Sequence, residues 1–180
     1  QAQRFGADLV PETATTVDFS ERPFVVASSR RQYQAQAVIV ATGAESRRLG
    51  VPGEDKFYGR GVSSCATCDG FFYRDKRVIV VGGGDSAVDE ALFLTKFAEE
   101  VTIVHRREEL RATKIYQEKA FGNPRIDFVW NSVVEEILGD QTVTGVRVRD
   151  VSNHHTKMIS ADGVFIYIGM EPRSDLFVGQ

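Results

Sequence analysis

The chain has 180 residues, 42 % of them hydrophobic and 26 % charged, an ordinary globular composition with length for one good core or parts of two. A formal net charge of −3 argues against general attraction to nucleic acid or an anionic membrane, so neither is expected as a partner. No apolar run approaches bilayer-spanning length and no basic-then-apolar signal segment is visible, which makes a cytoplasmic location the default expectation.

Residues 1–7 read like the last turn of a helix, with Gly6 near its end, and residues 174–180 follow a strand and a turn. The chain is therefore expected to be an excerpt of a longer polypeptide. Short strands are predicted at 17–19, 24–27 and 37–40, where β-branched and aromatic residues lie between polar turns. Residues 47–61, rich in Gly, Pro and charge, read as a connection between units, with Pro52-Gly53 as a turn signal. The short continuous apolar run 76–81 predicts a parallel strand buried on both faces. Gly82-Gly83-Gly84 follows, and apolar spacing through Ala87, Ala91, Leu94 and Ala98 predicts a helix over 85–98. With a second apolar strand at 100–104, these elements form a βαβ unit. Another helix is predicted over 108–119, closed by Gly122-Asn123-Pro124. Short strands return at 128–130, 133–138, 143–149, 157–160 and 164–168.

The stretch Ala37-Val38-Ile39-Val40-Ala41-Thr42-Gly43 looks like Gly163-Val164-Phe165-Ile166-Tyr167-Ile168-Gly169. Each is an apolar strand ending in glycine after a run of short strands, and only the second is preceded by a βαβ unit. A duplication would place the missing unit upstream of Gln1. The alternative is that apolar strands ending in glycine are simply common.

Gly82-x-Gly84-x-x-Ala87 sits where a nucleotide-binding turn must sit, after a strand and at a helix start. The first glycine permits the tight turn, the second lets backbone approach a pyrophosphate, and Ala87 allows close packing of helix on strand. The helix N-terminus offers free N–H groups and partial positive charge to phosphates. The alternative is a structural turn without a ligand. NAD-binding units usually end the next strand in an acidic residue, but here Val104 is followed by His105-Arg106-Arg107, with Arg111 one helical turn on. Guanidinium groups bind a 2′-phosphate by paired hydrogen bonds, which favours NADPH over NADH. The competing account is a solvated basic helix start paired with Glu108 and Glu109.

Both cysteines lie in Cys65-Ala66-Thr67-Cys68. A structural disulfide across so short a loop removes little chain entropy. A zinc site needs about four ligands, and no second Cys or His pair has suitable spacing, His154-His155 reading as solvated, so no metal is expected. A redox dithiol suits a protein that carries a hydride donor. Asp69 could move the protons of dithiol–disulfide exchange, or cap the turn that begins at Gly70. Nicotinamide does not ordinarily reduce a disulfide directly, and a flavin is the usual intermediary, yet the chain holds no second glycine fingerprint for FAD.

The run Cys65-Ala66-Thr67-Cys68-Asp69-Gly70-Phe71-Phe72-Tyr73, then Val81-Gly82-Gly83-Gly84-Asp85-Ser86-Ala87-Val88, then His105-Arg106-Arg107, resembles the low-molecular-weight thioredoxin reductases across essentially the whole chain. That resemblance implies an α/β fold of Rossmann-like three-layer nucleotide-binding domains of the FAD/NAD(P) type, with parallel sheet, helices and a β-meander. It implies an FAD domain (1–44 and 169–180, both incomplete) interrupted by an NADPH domain (45–168), in a homodimer that reduces thioredoxin. Cys68 would lie nearest the flavin, Cys65 would exchange with thioredoxin, and Asp69 matches the acid–base residue. Gly82, Gly83, Gly84, Asp85, Ser86 and Ala87 match the pyrophosphate turn, with Ser86 and Asp89 near the cofactor. Arg106, Arg107 and Arg111 match the 2′-phosphate ligands, and Thr42 and Gly43 an FAD-side turn. Arg60, Phe71 and Phe72 match thioredoxin-docking positions, with core packing the alternative for the two phenylalanines. The family's NADPH domain rotates, and 47–51 and 169–172 are the hinge candidates. Missing both terminal FAD segments, the isolated chain is not expected to hold FAD. Rival readings are a reductase serving a peroxiredoxin or another dithiol carrier, and a non-catalytic NADPH-binding module.

Overall fold

Strands form first where β-branched and aromatic residues cluster between polar turns. In the computed structural model, which describes residues 1–180, a single 3₁₀ turn (Ala2–Phe5) closes on Gly6 in the left-handed region. An antiparallel meander of β1 (Ala14–Asp18), β2 (Phe24–Ser28) and β3 (Gln32–Ala35) follows, in that order. These residues belong to one compact unit, Gln1–Glu45 with Glu171–Gln180. Phe19 stacks on Phe177 and meets Phe24 edge-on, yet no side chain of this unit is fully buried. The expected strand at 37–40 is not formed. No strand of this chain pairs with its backbone, and Ile39 is 93 % exposed. The similar run at 163–167 is a strand because it has neighbours on both sides. A strand is a pairing, and apolar sequence alone does not make one.

The second unit, Ser46–Met170, begins within β4 (Ala44–Ser46). The expected connection at 47–61 contains a short helix, α1 (Glu54–Phe57), anchored by the buried Phe57. The buried Glu54 carboxylate accepts the Leu49 and Gly50 N–H groups at 3.2 and 2.7 Å, which ties down the preceding loop. Then come β5 (Val62–Ser63), α2 (Ala66–Asp69), β6 (Arg77–Gly82), α3 (Asp85–Leu94) and β7 (Glu100–Val104). They are followed by α4 (Lys114–Phe121), β8 (Ile126–Val129), β9 (Ser132–Gly139), β10 (Val143–Asp150), β11 (Thr156–Ser160) and β12 (Gly163–Tyr167). A last short strand, β13 (Met170–Pro172), pairs with β4. The unit's own ends meet, since the Arg47 N–H donates to the Gly169 carbonyl at 3.0 Å.

A five-stranded parallel sheet, ordered β5-β12-β6-β7-β8, forms the middle layer. Alternation along its strands divides two cores. Val78, Val80, Val101, Ile103 and Phe165 face the helices and pack with Val88, Ala91 and Leu94 of α3. Ile79, Val81, Val104, Val164 and Ile166 face the antiparallel layer β9-β10-β11 and pack with Val134, Ile137, Val143, Val146 and Val148. Full burial of each such side chain contributes about 1.5–3 kcal/mol, so the three layers stand on these two interfaces. This is the α/β Rossmann-like arrangement with a β-meander that the sequence implied.

Candidate active site

The nucleotide turn is shaped by close approach. Gly82 has φ 148°, and a β-carbon there would stand 2.3 Å from the Tyr167 carbonyl, its register partner on β12. A β-carbon on Gly83 would fall 2.4 Å from Nδ1 of His105. Gly84 is different: a β-carbon there meets nothing within 4 Å. It opens α3, and no side chain caps that helix start. Ala87 is buried where the helix packs on the sheet, while Asp85, Ser86 and Asp89 are exposed.

The helix expected over 108–119 starts only at Lys114, and the reason lies in this turn. The Arg111 and Ala112 N–H groups both donate to the Gly83 carbonyl, at 2.7 and 3.0 Å, and the Thr113 N–H donates to Asp85 Oδ1 at 2.7 Å. Backbone that is bonded across to the glycine turn is unavailable for helical bonds. The result brings Arg111 beside the turn, with Arg106 and Arg107 exposed at the end of β7. Neither Glu108 nor Glu109 makes an ion pair with any of the three. His105 beneath them is 7 % exposed, and its Nε2 has no partner. Burial, then the charges of Arg107, Arg106 and Arg111, hold its pKa below the ordinary value, partly offset by a backbone hydrogen bond at Glu109. Its ring is thus a neutral prop for Gly83. An open, uncapped helix start beside three unpaired guanidinium groups fits a dinucleotide phosphate on charge and on space.

Cys65 and Cys68 are joined as a disulfide. Cys65 caps α2, its sulfur accepting the Cys68 N–H at 3.2 Å, and its own N–H is held by Ser63 Oγ at 3.0 Å. Cys68 is exposed and Cys65 half-buried. Asp69 makes no capping hydrogen bond to the following 3₁₀ turn, so its carboxylate is not used structurally there. Phe71 and Phe72 are 62 % and 68 % exposed in this chain, with Phe71 meeting Phe97 edge-on. Phe72, Asp69 and Arg60 line one cleft of about 330 Å³ with Lys76 and Asp162. The α2 segment packs directly on α3, the helix that opens at Gly84. One residue escaped the sequence reading. The Ala66 N–H donates to the Tyr167 hydroxyl at 2.7 Å, across 101 positions of chain.

Thr42 and Gly43 lie in the first unit. The Thr42 hydroxyl donates to the Arg173 carbonyl at 2.5 Å, and Gly43, at φ 80°, accepts the Arg173 N–H at 3.0 Å.

Residues 3–180 match the family described as pyridine nucleotide-disulphide oxidoreductase. The chain is 51 % identical over 181 residues to the thioredoxin reductase of Streptomyces clavuligerus, all of this chain against 56 % of that one. It is 50 % identical to that of Rickettsia bellii, again over its whole length and 59 % of the relative. The chain thus spans a little over half the length of these curated relatives. The solved thioredoxin reductase of Lactococcus lactis superposes with a TM-score of 0.86 at 39 % identity, over 93 % of this chain and 55 % of that one. The Streptococcus pyogenes thioredoxin reductase gives 0.79 at 45 % identity, over 97 % of this chain and 57 % of that one. With the family model matching nearly the whole chain, the chain belongs to the pyridine nucleotide-disulphide oxidoreductases.

Proposed function

We propose that the whole protein is an NADPH-dependent thioredoxin reductase, in which electrons pass from NADPH through FAD and the Cys65–Cys68 pair to oxidised thioredoxin. The observation that carries this reading is the packing of the Cys65–Cys68 helix directly on the helix that opens at Gly84. When bound, NADPH supplies a hydride and FAD the relay that hands two electrons to sulfur. Gly82, Gly83, Gly84, Asp85, Ser86 and Ala87 would carry the pyrophosphate, with Asp89 nearby and the 2′-phosphate on Arg106, Arg107 and Arg111, above His105. Thr42 and Gly43 would contribute to the flavin site.

In the reduced pair, the Cys68 N–H aimed at Cys65 Sγ favours negative charge there, which makes Cys65 the nucleophile. Its thiolate attacks one sulfur of the thioredoxin disulfide, forming a mixed disulfide and expelling the other sulfur as a thiolate. Cys68 then attacks Cys65 Sγ, which restores the Cys65–Cys68 bond and releases the second thioredoxin thiol. Asp69 would deliver and remove the accompanying protons, and exposed Phe71 and Phe72 with Arg60 would dock the carrier. The domain division 1–44, 45–168 and 169–180 belongs to the same reading, as do rotation about 47–51 and 169–172, a homodimer and a cytoplasmic location. Structurally, no helix is long and apolar enough to cross a membrane.

The test uses the purified whole protein with a panel of oxidised carriers. It is expected to be yellow and to oxidise NADPH when oxidised thioredoxin is added, and C68S is expected to abolish that turnover. Undiminished turnover in C68S rules out the electron route, and preference for a peroxiredoxin would reassign the carrier.

A further inference from the structure

Four backbone N–H groups define the start of the redox helix. Cys65 N–H is held by Ser63, Cys68 N–H by Cys65 Sγ, and Asp69 N–H by the Cys65 carbonyl at 3.1 Å. All three partners lie within the same short segment. The fourth, Ala66 N–H, is bonded to the Tyr167 hydroxyl at the end of β12. Ala66 is completely buried, so no water can replace that acceptor. The same Tyr167 presents its carbonyl to Gly82 of the nucleotide turn and packs against the helix-side core. It therefore stands with its backbone under one site and its side chain under the other.

While the Cys65–Cys68 bond exists, a covalent link closes the first turn of α2. On reduction that link is gone, and the helix start is held by hydrogen bonds alone. Ser63 of β5, two residues back, then holds Cys65, and the bond to Tyr167 is the one hydrogen bond from these N–H groups to a strand remote in the chain. If it is lost, a buried N–H is left unpartnered and the turn relaxes, so the Cys68 N–H no longer points steadily at Cys65 Sγ. We propose that Tyr167 is a positioning residue for disulfide exchange: its hydroxyl fixes the start of the reduced helix and thereby keeps Cys65 a thiolate. This rests on the redox reading given above. The ionisable groups around this start are Asp69 on the helix itself, Glu90 on α3, and Tyr73 after the helix, which faces Asp69 and Asp162. None of Asp69, Glu90, Asp162 and Tyr73 carries a positive charge in either protonation state, so none of them substitutes for the hydrogen bond in favouring a thiolate.

The whole protein is reduced with dithiothreitol, and Cys65 alkylation by iodoacetamide is followed against pH, with the site located by mass spectrometry. Y167F, which keeps the ring and removes the hydroxyl, is expected to raise the midpoint by roughly half a pH unit or more, about a threefold slower reaction at neutral pH. A66P removes the donor instead, at a first helical position where proline is tolerated, and is expected to give a similar shift. The double variant should shift no further than either single one. An unchanged midpoint in Y167F, or single shifts that add, overturns the role of Tyr167. The redox reading is checked separately in wild type, by asking whether NADPH alone exposes alkylatable thiols at this pair. Absence of such exposure overturns both readings, whereas an unchanged Y167F midpoint with the exposure intact overturns the positioning role alone.

Discussion

Gly83 rests against the imidazole of His105 so closely that a β-carbon would fall 2.4 Å from Nδ1. At Gly84, one residue on, the same β-carbon meets nothing within 4 Å. The two glycines should therefore fail differently. G83A must push a buried ring and is expected to destabilise the protein by about 1–3 kcal/mol. G84A is expected to leave the melting temperature nearly unchanged, because its methyl enters open space. That space is where a pyrophosphate would approach, so G84A should weaken NADPH binding by roughly tenfold or more, about 1.4 kcal/mol. Calorimetric melting together with NADPH titration separates the two effects.

Arg106, Arg107 and Arg111 stand exposed and without ion-pair partners. A 2′-phosphate would supply what they lack, and NADH has none. R106A is expected to weaken NADPH by roughly ten- to a hundredfold, the range of a hydrogen bond to a charged group, and to leave NADH almost unaffected. Dissociation constants for both nucleotides provide the check. Equal losses would remove the arginine from 2′-phosphate recognition.

His105 supplies a pH signature. Burial and three arginines hold its folded pKa below the ordinary 6.5, so the unfolded chain binds a proton that the folded one refuses. Stability then rises with pH through the window from the depressed folded value up to 6.5, and is lost as the solution is acidified through it. Thermal unfolding midpoints measured across that window should show this slope. H105Q, which cannot titrate, should flatten it, whatever its effect on the absolute midpoint.

Glu90 on α3 has the opposite sign. Its Oε2 is buried without a partner, and burial, with Asp89 adding repulsion, raises its pKa above the ordinary 4.5. The folded state holds a proton that the unfolded state releases, so its contribution falls as pH rises through the raised folded value. E90Q removes the charge and keeps the shape. It is expected to raise the melting temperature at pH values above the folded pKa, with the gain disappearing below about 4.5, the ordinary value of the group. A gain that persists into acid would point to a packing effect instead.

The parallel strands and α3 were legible because their apolar runs are continuous and their partners lie within this chain. The same rule misled at 37–40, where the run is equally apolar but no strand pairs with it. Periodicity over 108–119 likewise placed a helix too early. Residues 111–113 spend their N–H groups on Gly83 and Asp85, and no local pattern announces a hydrogen bond across 28 positions. Cys65, Cys68 and the arginines could be read because their chemistry is carried by residue type and spacing. Tyr167 could not, since its hydroxyl acquires a role only when β12 comes to lie beside the redox helix.

The meeting of Arg47 and Gly169, donor to acceptor at 3.0 Å, has a consequence for inheritance. A segment whose two ends stand a hydrogen bond apart can be spliced into a host loop without prying its stems open. Dithiol and nucleotide turn both lie between those ends, so one cut and one paste would carry the pair into a new protein together. A circular permutant that joins the two ends and opens the His154 turn would be the laboratory version of the same event.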